Sequence, residues 1–306
     1  MPEDSSKSTK TIMSGMRQLE IRTRRMVNDS LAGEYHSVFK GRGMDFDEVR
    51  EYTPGDEVRT IDWNVTARAG RPFVKKFTEE RELTILLLVD ISASGNFGSS
   101  RLSKRDLAAE LASVLAFSAI RNSDKVGLLM YTDRVERYLP PKKGRRHVLR
   151  VVRDILYHTP EGRGTDSVKA LDVVNHVLHR RAIVFLISDF QAPGDPVRAR
   201  LELRRAMRQT NRRHDLIAVQ IEDPRERELP NVGVLALEDA ETGEIVELDT
   251  ASAAVRKRFN ELSVARARRL VNDFRAEGVD TLELKTDAPY MAPLQRFFKT
   301  RERRRV

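Results

Sequence analysis

The stretch ELTILLLVD, Glu82–Asp90, decides the fold. From Leu83 to Val89 it is apolar except for Thr84, and it ends at Asp90. A short run of Leu, Ile and Val without polar alternation is typical of a strand that is buried on both faces of a parallel sheet. The run is too short to span a bilayer, which takes about 20 apolar residues.

The same pattern, an apolar run followed by aspartate, returns at AIVFLISDF, Ala182–Phe190. Further strands are predicted at Lys125–Asp133, Val135–Pro140, His214–Asp223 and Val279–Thr286, with a hairpin over Val232–Leu248 that turns at Glu241–Gly243. Helices are predicted at Ser103–Asn122, Arg145–His158, Thr165–Leu178, Asp195–Thr210, Ala251–Glu277 and Pro293–Arg305. Strands that alternate with helices predict an α/β fold with a doubly wound, mostly parallel sheet.

Three segments are predicted along the chain. Residues 1–32 form a polar tail and a helix, residues 33–82 a β-rich segment with Gly and Pro at its turns, and residues 83–306 the α/β domain with basic C-terminal helices. The single tryptophan, Trp63, is expected in a core or at an interface.

Composition narrows the function classes. The 306 residues include no cysteine, which excludes disulfides, thiolate zinc sites and cysteine nucleophiles and favours the reducing cytoplasm. The polar N-terminus shows no signal peptide. No phosphate-binding GxxxxGK[ST] loop is present, so the chain is not expected to bind ATP by itself.

The net charge of +9 is concentrated in three C-terminal stretches, which carry twenty Lys and Arg against four Asp and Glu. Solvated helix faces are the favoured interpretation, followed by an acidic protein partner or peripheral contact with anionic lipid head groups. Nucleic acid is disfavoured, because aromatic residues are scarce there and no binding motif is present.

Polar clusters follow the predicted strands at the positions where ligands bind in open α/β sheets. Asp90, Ser92 and Ser94 come directly after the first strand, Thr165 opens a helix, and Asp189 ends the strand from Ala182. These residues supply carboxylate and hydroxyl oxygens without His or Cys, a set that suits magnesium or manganese. The sequence therefore predicts a site for a divalent metal, with magnesium favoured.

The arrangement Asp90-x-Ser92-x-Ser94, then Thr165, then Asp189 resembles the metal-ion-dependent adhesion site of von Willebrand factor A domains. All five positions of that motif are filled. The resemblance implies that Ser92, Ser94 and Thr165 supply hydroxyl ligands and that Asp90 and Asp189 hold the metal through water. It also implies an open position that accepts a carboxylate from a partner protein.

The preceding segment, Gly41–Leu83, resembles the signature of the bacterial family called domain of unknown function 58. The matching elements are Gly41-Arg42-Gly43, Phe46, Arg50-Glu51-Tyr52, Pro54-Gly55-Asp56, Arg59, Ile61-Asp62-Trp63 and Ala67-Arg68. Members of this family are often encoded beside an AAA+ ATPase of the MoxR type. The resemblance implies a non-enzymatic adaptor or co-chaperone that works with such an ATPase in the assembly or maturation of other proteins.

A magnesium-dependent hydrolase is a competing hypothesis, because a strand that ends in Asp90 is similar to the nucleophile strand of haloacid dehalogenases. That chemistry needs a second carboxylate two residues later as general acid. Ser92 occupies that position, which favours an interaction module over an enzyme. A nucleic-acid-binding protein that uses the basic C-terminal helices remains the third hypothesis.

Overall fold

A computed structural model of the chain describes residues 45–78, 82–191, 196–241 and 243–305. The tail and helix predicted within residues 1–32 lie outside these residues. The chain divides into a small unit, Phe39–Leu83, and a larger unit that holds Thr84–Val306.

The small unit is built on an antiparallel pair, β1 (Asp45–Glu51) and β2 (Phe73–Thr78), with helix α1 (Trp63–Ala69) between them in sequence. Asp62 caps α1 by accepting hydrogen bonds from the amides of Asn64 and Val65. The Arg50 guanidinium donates two hydrogen bonds, of 2.8 and 2.6 Å, to the carboxylate of Asp56. The sequence predicts only turns and short strands here, and α1 corrects that prediction; its Asp62 cap is the local reason that it forms.

Trp63 begins α1 and its side chain is 66% exposed. Trp63 therefore does not lie in the core of its own unit, which corrects one half of the expectation; the other half, an interface, stays a prediction. As the first residue after the cap, it projects from the exposed end of a seven-residue helix that buries none of its residues.

The larger unit alternates strands and helices, as predicted. Its elements are β3 Thr84–Asp90, α2 Lys104–Arg121, β4 Lys125–Tyr131, β5 Val135–Lys142, α3 Arg145–Tyr157, α4 Ser167–Val177, β6 Ile183–Ser188, α5 Pro196–Arg213, β7 Asp215–Glu222, β8 Val234–Glu238, β9 Ile245–Asp249, α6 Ala253–Ala276, β10 Asp280–Lys285 and α7 Met291–Arg305. The main sheet has the order β10-β7-β6-β3-β4-β5. Every neighbouring pair is parallel except β4 with β5.

Strand β3 lies inside this sheet with helices on both faces. Leu86 and Leu88 belong to a core that contains residues of α4, α5 and α6. The alternate residues, Ile85, Leu87 and Val89, are fully buried on the opposite face, where α2 contacts β3. Burial on both faces explains why the strand is a continuous apolar run, and the predicted α/β fold class is confirmed.

The strand order fixes where a ligand can sit. From β3 the chain crosses to β4 on one side, and from β6 it crosses to β7 on the other, while β3 and β6 are direct neighbours. The helices that follow these two strands therefore diverge and leave a crevice at their carboxyl ends. Asp90 and Asp189 lie at this switch point.

Helix α2 begins where the sequence predicts. The Ser103 hydroxyl accepts from the amide of Asp106 at 3.0 Å, and the Asp106 carboxylate accepts from the amide of Ser103 at 3.1 Å. This capping box fixes Lys104 as the first residue of the helix. Lys104 is thereby held beside the crevice.

Part of the basic charge of the C-terminal helices is used inside the protein. On α5, Arg204 and Arg208 bond to Glu277 at the end of α6, and Arg200 bonds to Asp273. Arg301 on α7 pairs with Asp215 and Asp280. These contacts join helices and strands, so the arginine clusters are partly structural.

Among the described residues, no helix has both the length and the apolar character that a membrane span needs.

The contacts of Arg204 and Arg208 with Glu277, here called the Glu277 clamp, predict a pH-dependent contribution to stability. Hydrogen bonds from Arg208 and Arg204 lower the pKa of Glu277 from 4.5 to about 2. A lowered carboxyl pKa adds stability above pH 4.5, and that contribution disappears as the pH falls toward 2. Glu277→Gln is expected to reduce the free energy of unfolding by roughly 1–2 kcal/mol at pH 7.

Urea denaturation at pH 7, 4 and 3 measures this effect, and the gap between wild type and variant should narrow at each step. The control is Glu202→Gln, because Glu202 pairs with Arg198 on the exposed surface of α5 and should cost under about 0.5 kcal/mol. A gap that does not change with pH would contradict the electrostatic origin of the clamp.

Candidate metal centre

Asp90 is the last residue of β3, and its carboxylate is buried at the carboxyl edge of the sheet. One oxygen accepts from the amide of Ser92 at 2.9 Å, and the other accepts from the hydroxyl of Ser188 at 2.7 Å. Ser188 is the last residue of β6, so this bond joins the ends of the two strands at the switch point.

Ser92 and Ser94 lie in the turn that leaves β3. Ser92 is buried, and a short 3-10 helix, Ala93–Asn96, follows it. Their hydroxyl oxygens are 3.1 Å apart. The turn thus brings two hydroxyls beside the Asp90 carboxylate, on the side that the alternation of Asp90, Ser92 and Ser94 predicts.

Asp189 follows β6 and shares its charge with a buried lysine. Lys104 donates to the Asp189 carboxylate at 2.5 Å and to that of Glu226 at 2.6 Å, and its side chain is only 3% exposed. Burial lowers the pKa of Lys104, but the charges of Asp189 and Glu226 outweigh burial and the net shift is upward. Lys104 therefore carries its positive charge inside the site.

Thr165 lies in the loop before α4, at the edge of the cluster. The loop is tied to the Ser92–Ser94 turn by a bond from the amide of Ala93 to the carbonyl of Arg163, at 3.0 Å. The Thr165 hydroxyl donates to the carboxylate of Glu241 at 2.7 Å. The neighbouring Asp166 accepts from the amide of Lys169 and caps α4.

A cavity of about 20 Å³ lies between these side chains, lined by Asp90, Ser92, Ser94, Lys104, Ser188 and Asp189 among others. That volume holds about one water molecule or one ion. Four carboxylates, Asp90, Asp189, Glu226 and Glu241, interact in this region, and Lys104 bonds to two of them. The donor chemistry and the excess of negative charge both fit a hard divalent cation.

Within the described residues, no three His, Asp or Glu side chains converge in a way that could hold a metal without other ligands. A metal here depends on the hydroxyl oxygens of Ser92, Ser94 and Thr165. Magnesium accepts such a site, because it commonly binds few protein ligands and keeps several waters.

Burial dominates the electrostatics of Asp90. Burial together with the nearby charge of Asp189 raises the pKa of Asp90 from 3.8 to about 7, against the opposing effect of its hydrogen bonds to Ser188 and Ser92. The pKa of Glu241 is also raised, first by burial and then by the charge of Asp189. In both cases burial is the larger cause, and the charge of the neighbouring Asp189 adds to it.

Four of the five residues predicted from sequence, Asp90, Ser92, Ser94 and Asp189, line one cavity, and Thr165 joins them through its loop and Glu241. Sequence reasoning missed Lys104, Glu226 and Glu241. The hairpin turn at Glu241–Gly243 was predicted, but no local signal shows that its tip reaches a site 76 residues away in sequence.

A larger cleft of about 690 Å³ lies beside the cavity and is lined by Ala93, Asn96, Arg105 and the segment 156–163. Arg105 lines both the cavity and the cleft. The charged residues of this lining are Arg105, Arg163 and Glu161, and Arg105 donates to the carbonyl of His158.

Comparison with known proteins shows to which family this chain is related. Residues 48–269 match the family model described as "Protein of unknown function DUF58". The uncharacterized protein Rv1480 of Mycobacterium tuberculosis is 32% identical over 294 residues, which cover 95% of this chain and 90% of that protein.

Solved structures of similar shape are more distant. An aerotolerance-related membrane protein from Bacteroides fragilis covers 72% of this chain and 99% of its own, at 13% identity and a TM-score of 0.47. The SpRpn10 VWA domain covers 70% of this chain and 93% of its own, at 13% identity and a TM-score of 0.38. Both TM-scores lie below 0.5, so neither likeness identifies the fold, which is shown by the sheet of this chain itself.

The raised pKa of Asp90 predicts how stability changes with pH when a chelator removes metal ions. The folded state keeps the Asp90 proton up to about pH 7, whereas the unfolded state releases it near 3.8. The contribution of Asp90 to the free energy of unfolding should therefore fall between pH 4 and pH 7 and level off above 7. Asp90→Asn removes this titration, so its stability relative to wild type should rise steadily from pH 5 to pH 8.

Urea denaturation in EDTA at pH 5, 6, 7 and 8 measures the difference between the two proteins. Asp172→Asn, on the exposed face of α4, is the control and should follow wild type at every pH. A constant difference between wild type and Asp90→Asn would show that Asp90 does not titrate in this range.

Proposed function

The chain belongs to the DUF58 family, and from that premise we propose that its larger unit is a non-enzymatic, divalent-metal-dependent protein–protein interaction module. The convergence of Asp90, Ser92, Ser94 and Asp189 around one ion-sized cavity at the switch point carries this proposal. Magnesium is the proposed metal, with manganese as the alternative.

The chain's residues divide the work of holding the ion. Ser92, Ser94 and Thr165 offer hydroxyl oxygens, while Asp90 and Asp189 offer carboxylates that are already fixed by hydrogen bonds to the protein. Lys104 orients Asp189 and offsets its charge. When bound, the metal supplies an electrophilic position that takes up a carboxylate oxygen.

The absence of catalysis is part of the proposal. The position two residues after Asp90 holds the hydroxyl of Ser92, and this hydroxyl interacts with Ser94. A hydrolase of the dehalogenase type needs a proton donor at that position. Steady turnover of para-nitrophenyl phosphate by the magnesium-loaded protein, lost in Asp90→Asn, would overturn this part.

The partner we propose is a protein that presents an acidic segment. One carboxylate would reach the metal, and the flanking residues would enter the cleft beside Arg105 and Arg163. The family resemblance supports a MoxR-type AAA+ ATPase as the machine with which this adaptor acts. The absence of cysteine supports the cytoplasm as the compartment.

Nucleic acid is not our proposed ligand. Arg200, Arg204 and Arg208 are bonded to the acidic residues of α6, and Arg301 is paired with Asp215. These side chains are engaged by carboxylates of the protein itself, so the count of basic residues overstates the cationic surface.

Metal binding is the first measurement. Isothermal titration of the chelator-treated protein with magnesium chloride should show one site in wild type. Asp90→Ala should abolish that site and Thr165→Val should weaken it by about 10-fold or more, because each removes an oxygen from the set. Asp172→Asn should bind as wild type does, and equal binding by Asp90→Ala would refute the site.

The second measurement is the capture of the partner protein. A pull-down from lysate of a bacterium that encodes this chain, followed by mass spectrometry, should retain an AAA+ ATPase in magnesium and lose it in EDTA. The Asp90→Ala protein should retain none in either buffer, while Asp172→Asn should behave as wild type does. Recovery of the ATPase regardless of metal and of Asp90 would reject a metal-dependent contact.

A further inference from the structure

The hairpin β8–β9 carries a carboxylate, that of Glu241, to Thr165, one of the five residues of the candidate metal centre. Its two strands pair from Val234 with Asp249 to Glu238 with Ile245. At the tip, the amide of Gly243 donates to the carbonyl of Asp239 at 2.7 Å, and the side chain of Asp239 accepts from the amide of Glu241 at 2.9 Å. Gly243 has φ of +75°, which a side chain would strain. These bonds to Asp239 fix the backbone of Glu241 at the end of the hairpin.

The Glu241 carboxylate lies next to one of the proposed metal ligands, Thr165. Its Oε1 accepts from the hydroxyl of Thr165, which is itself one of the five site residues. A hydroxyl that donates its proton to a carboxylate still has lone pairs for a cation. Glu241 and the proposed ion would thus share Thr165 as a neighbour.

The second carboxylate oxygen is buried without a partner. Glu241 Oε2 has no hydrogen-bond partner among the described residues, although it is shielded from solvent. It lies close to Gly164, where a β-carbon would be 3.7 Å from it. A shielded carboxylate oxygen with no donor is costly unless a cation compensates it. Asp189 lies near enough for its negative charge to act on Glu241 and to add to the cost of that burial.

The base of the hairpin is closed by hydrogen bonds that do not involve its tip. The buried Thr250 accepts from the amide of Val232 at 3.1 Å and donates to the carbonyl of Gly233 at 2.6 Å. Between base and tip, Val234, Ile245 and Val246 are 69, 63 and 49% exposed. Little of the strands is buried, and the bond from Thr165 to Glu241 is one of the contacts that hold the tip to the protein.

From these observations we infer that Glu241 is an intramolecular ligand that takes the position of a partner's carboxylate at the metal. This inference rests on the proposed function, because it needs a metal at the site. It means that the hairpin occludes the site until a partner's carboxylate displaces Glu241. The partner must then compete with a ligand tethered to the site, which favours acidic segments that also bind the neighbouring cleft.

Hydrogen exchange tests this inference in the full chain. In wild type, saturating magnesium should slow amide exchange across 234–249 by about 10-fold or more relative to EDTA, because the metal ties down the tip. In Glu241→Gln, magnesium should leave the exchange of the hairpin unchanged. Glu247→Gln removes the same charge from an exposed position on β9 and should keep the protection of wild type.

Acetate tests whether the position is occupied. In this experiment manganese is used in place of magnesium. The relaxation rate of water protons then measures how many exchangeable water molecules are bound to the metal. Glu241→Gln should bind manganese with more exchangeable water than wild type, and acetate should displace that water at concentrations at least tenfold lower than in wild type. Glu247→Gln should match wild type.

The outcomes separate this inference from the proposed function. Metal binding by wild type with no protection of the hairpin, or with the same response to acetate in Glu241→Gln, would overturn the role of Glu241 and leave the metal module standing. Failure of wild type to bind magnesium or manganese would overturn the proposed function, and this inference with it.

Discussion

A buried carboxylate at the end of the central strand is the constraint on which the site depends. Asp90 is placed in the protein interior by the apolar run before it, and Asp189 is placed beside it by the neighbouring strand. Burial disfavours the charged form of an isolated carboxyl group, and a second carboxyl nearby disfavours it further. The structure accommodates this with hydrogen bonds from Ser92 and Ser188, a buried lysine at Asp189 and a cavity the size of one ion.

The lysine decides how the negative charge is divided. Lys104 is fixed at the first turn of α2 by the capping box, and it spans Asp189 and Glu226. It leaves Asp90 and Glu241 without a cation of their own among the described contacts. A divalent ion beside Ser92 and Ser94 would offset the negative charge of both Asp90 and Glu241. The residues of the motif and the hairpin tip would then share one cation.

Much of this architecture is legible in the sequence, because its causes are local. The continuous apolar runs mark strands that are buried on both faces, the Ser103 and Asp106 pair marks the start of a helix, and Gly243 marks a turn. The order of the motif then places Asp90 and Asp189 at one edge of the sheet. Contacts between residues far apart in sequence have no such local signal. Lys104 and Glu226 are 122 residues apart, and nothing in either segment shows that they meet.

Two further differences have physical reasons. Helix α1 forms from a segment that contains β-branched and aromatic residues, because its Asp62 cap and the left-handed Gly70 define both of its ends. The basic C-terminal helices suggested a charged outer face, but three arginines of α5 point to acidic residues of α6. Pairing between helices depends on tertiary packing, which a charge count along the chain does not contain.

The central claim is that a divalent cation lies among the oxygens at the end of β3. The most direct measurement is an anomalous difference map from a crystal grown with manganese chloride. A peak is expected at metal–oxygen bonding distance from the hydroxyl oxygens of Ser92 and Ser94, with the Glu241 carboxylate beside it. A map with no peak there, in a crystal that binds manganese elsewhere, would contradict it.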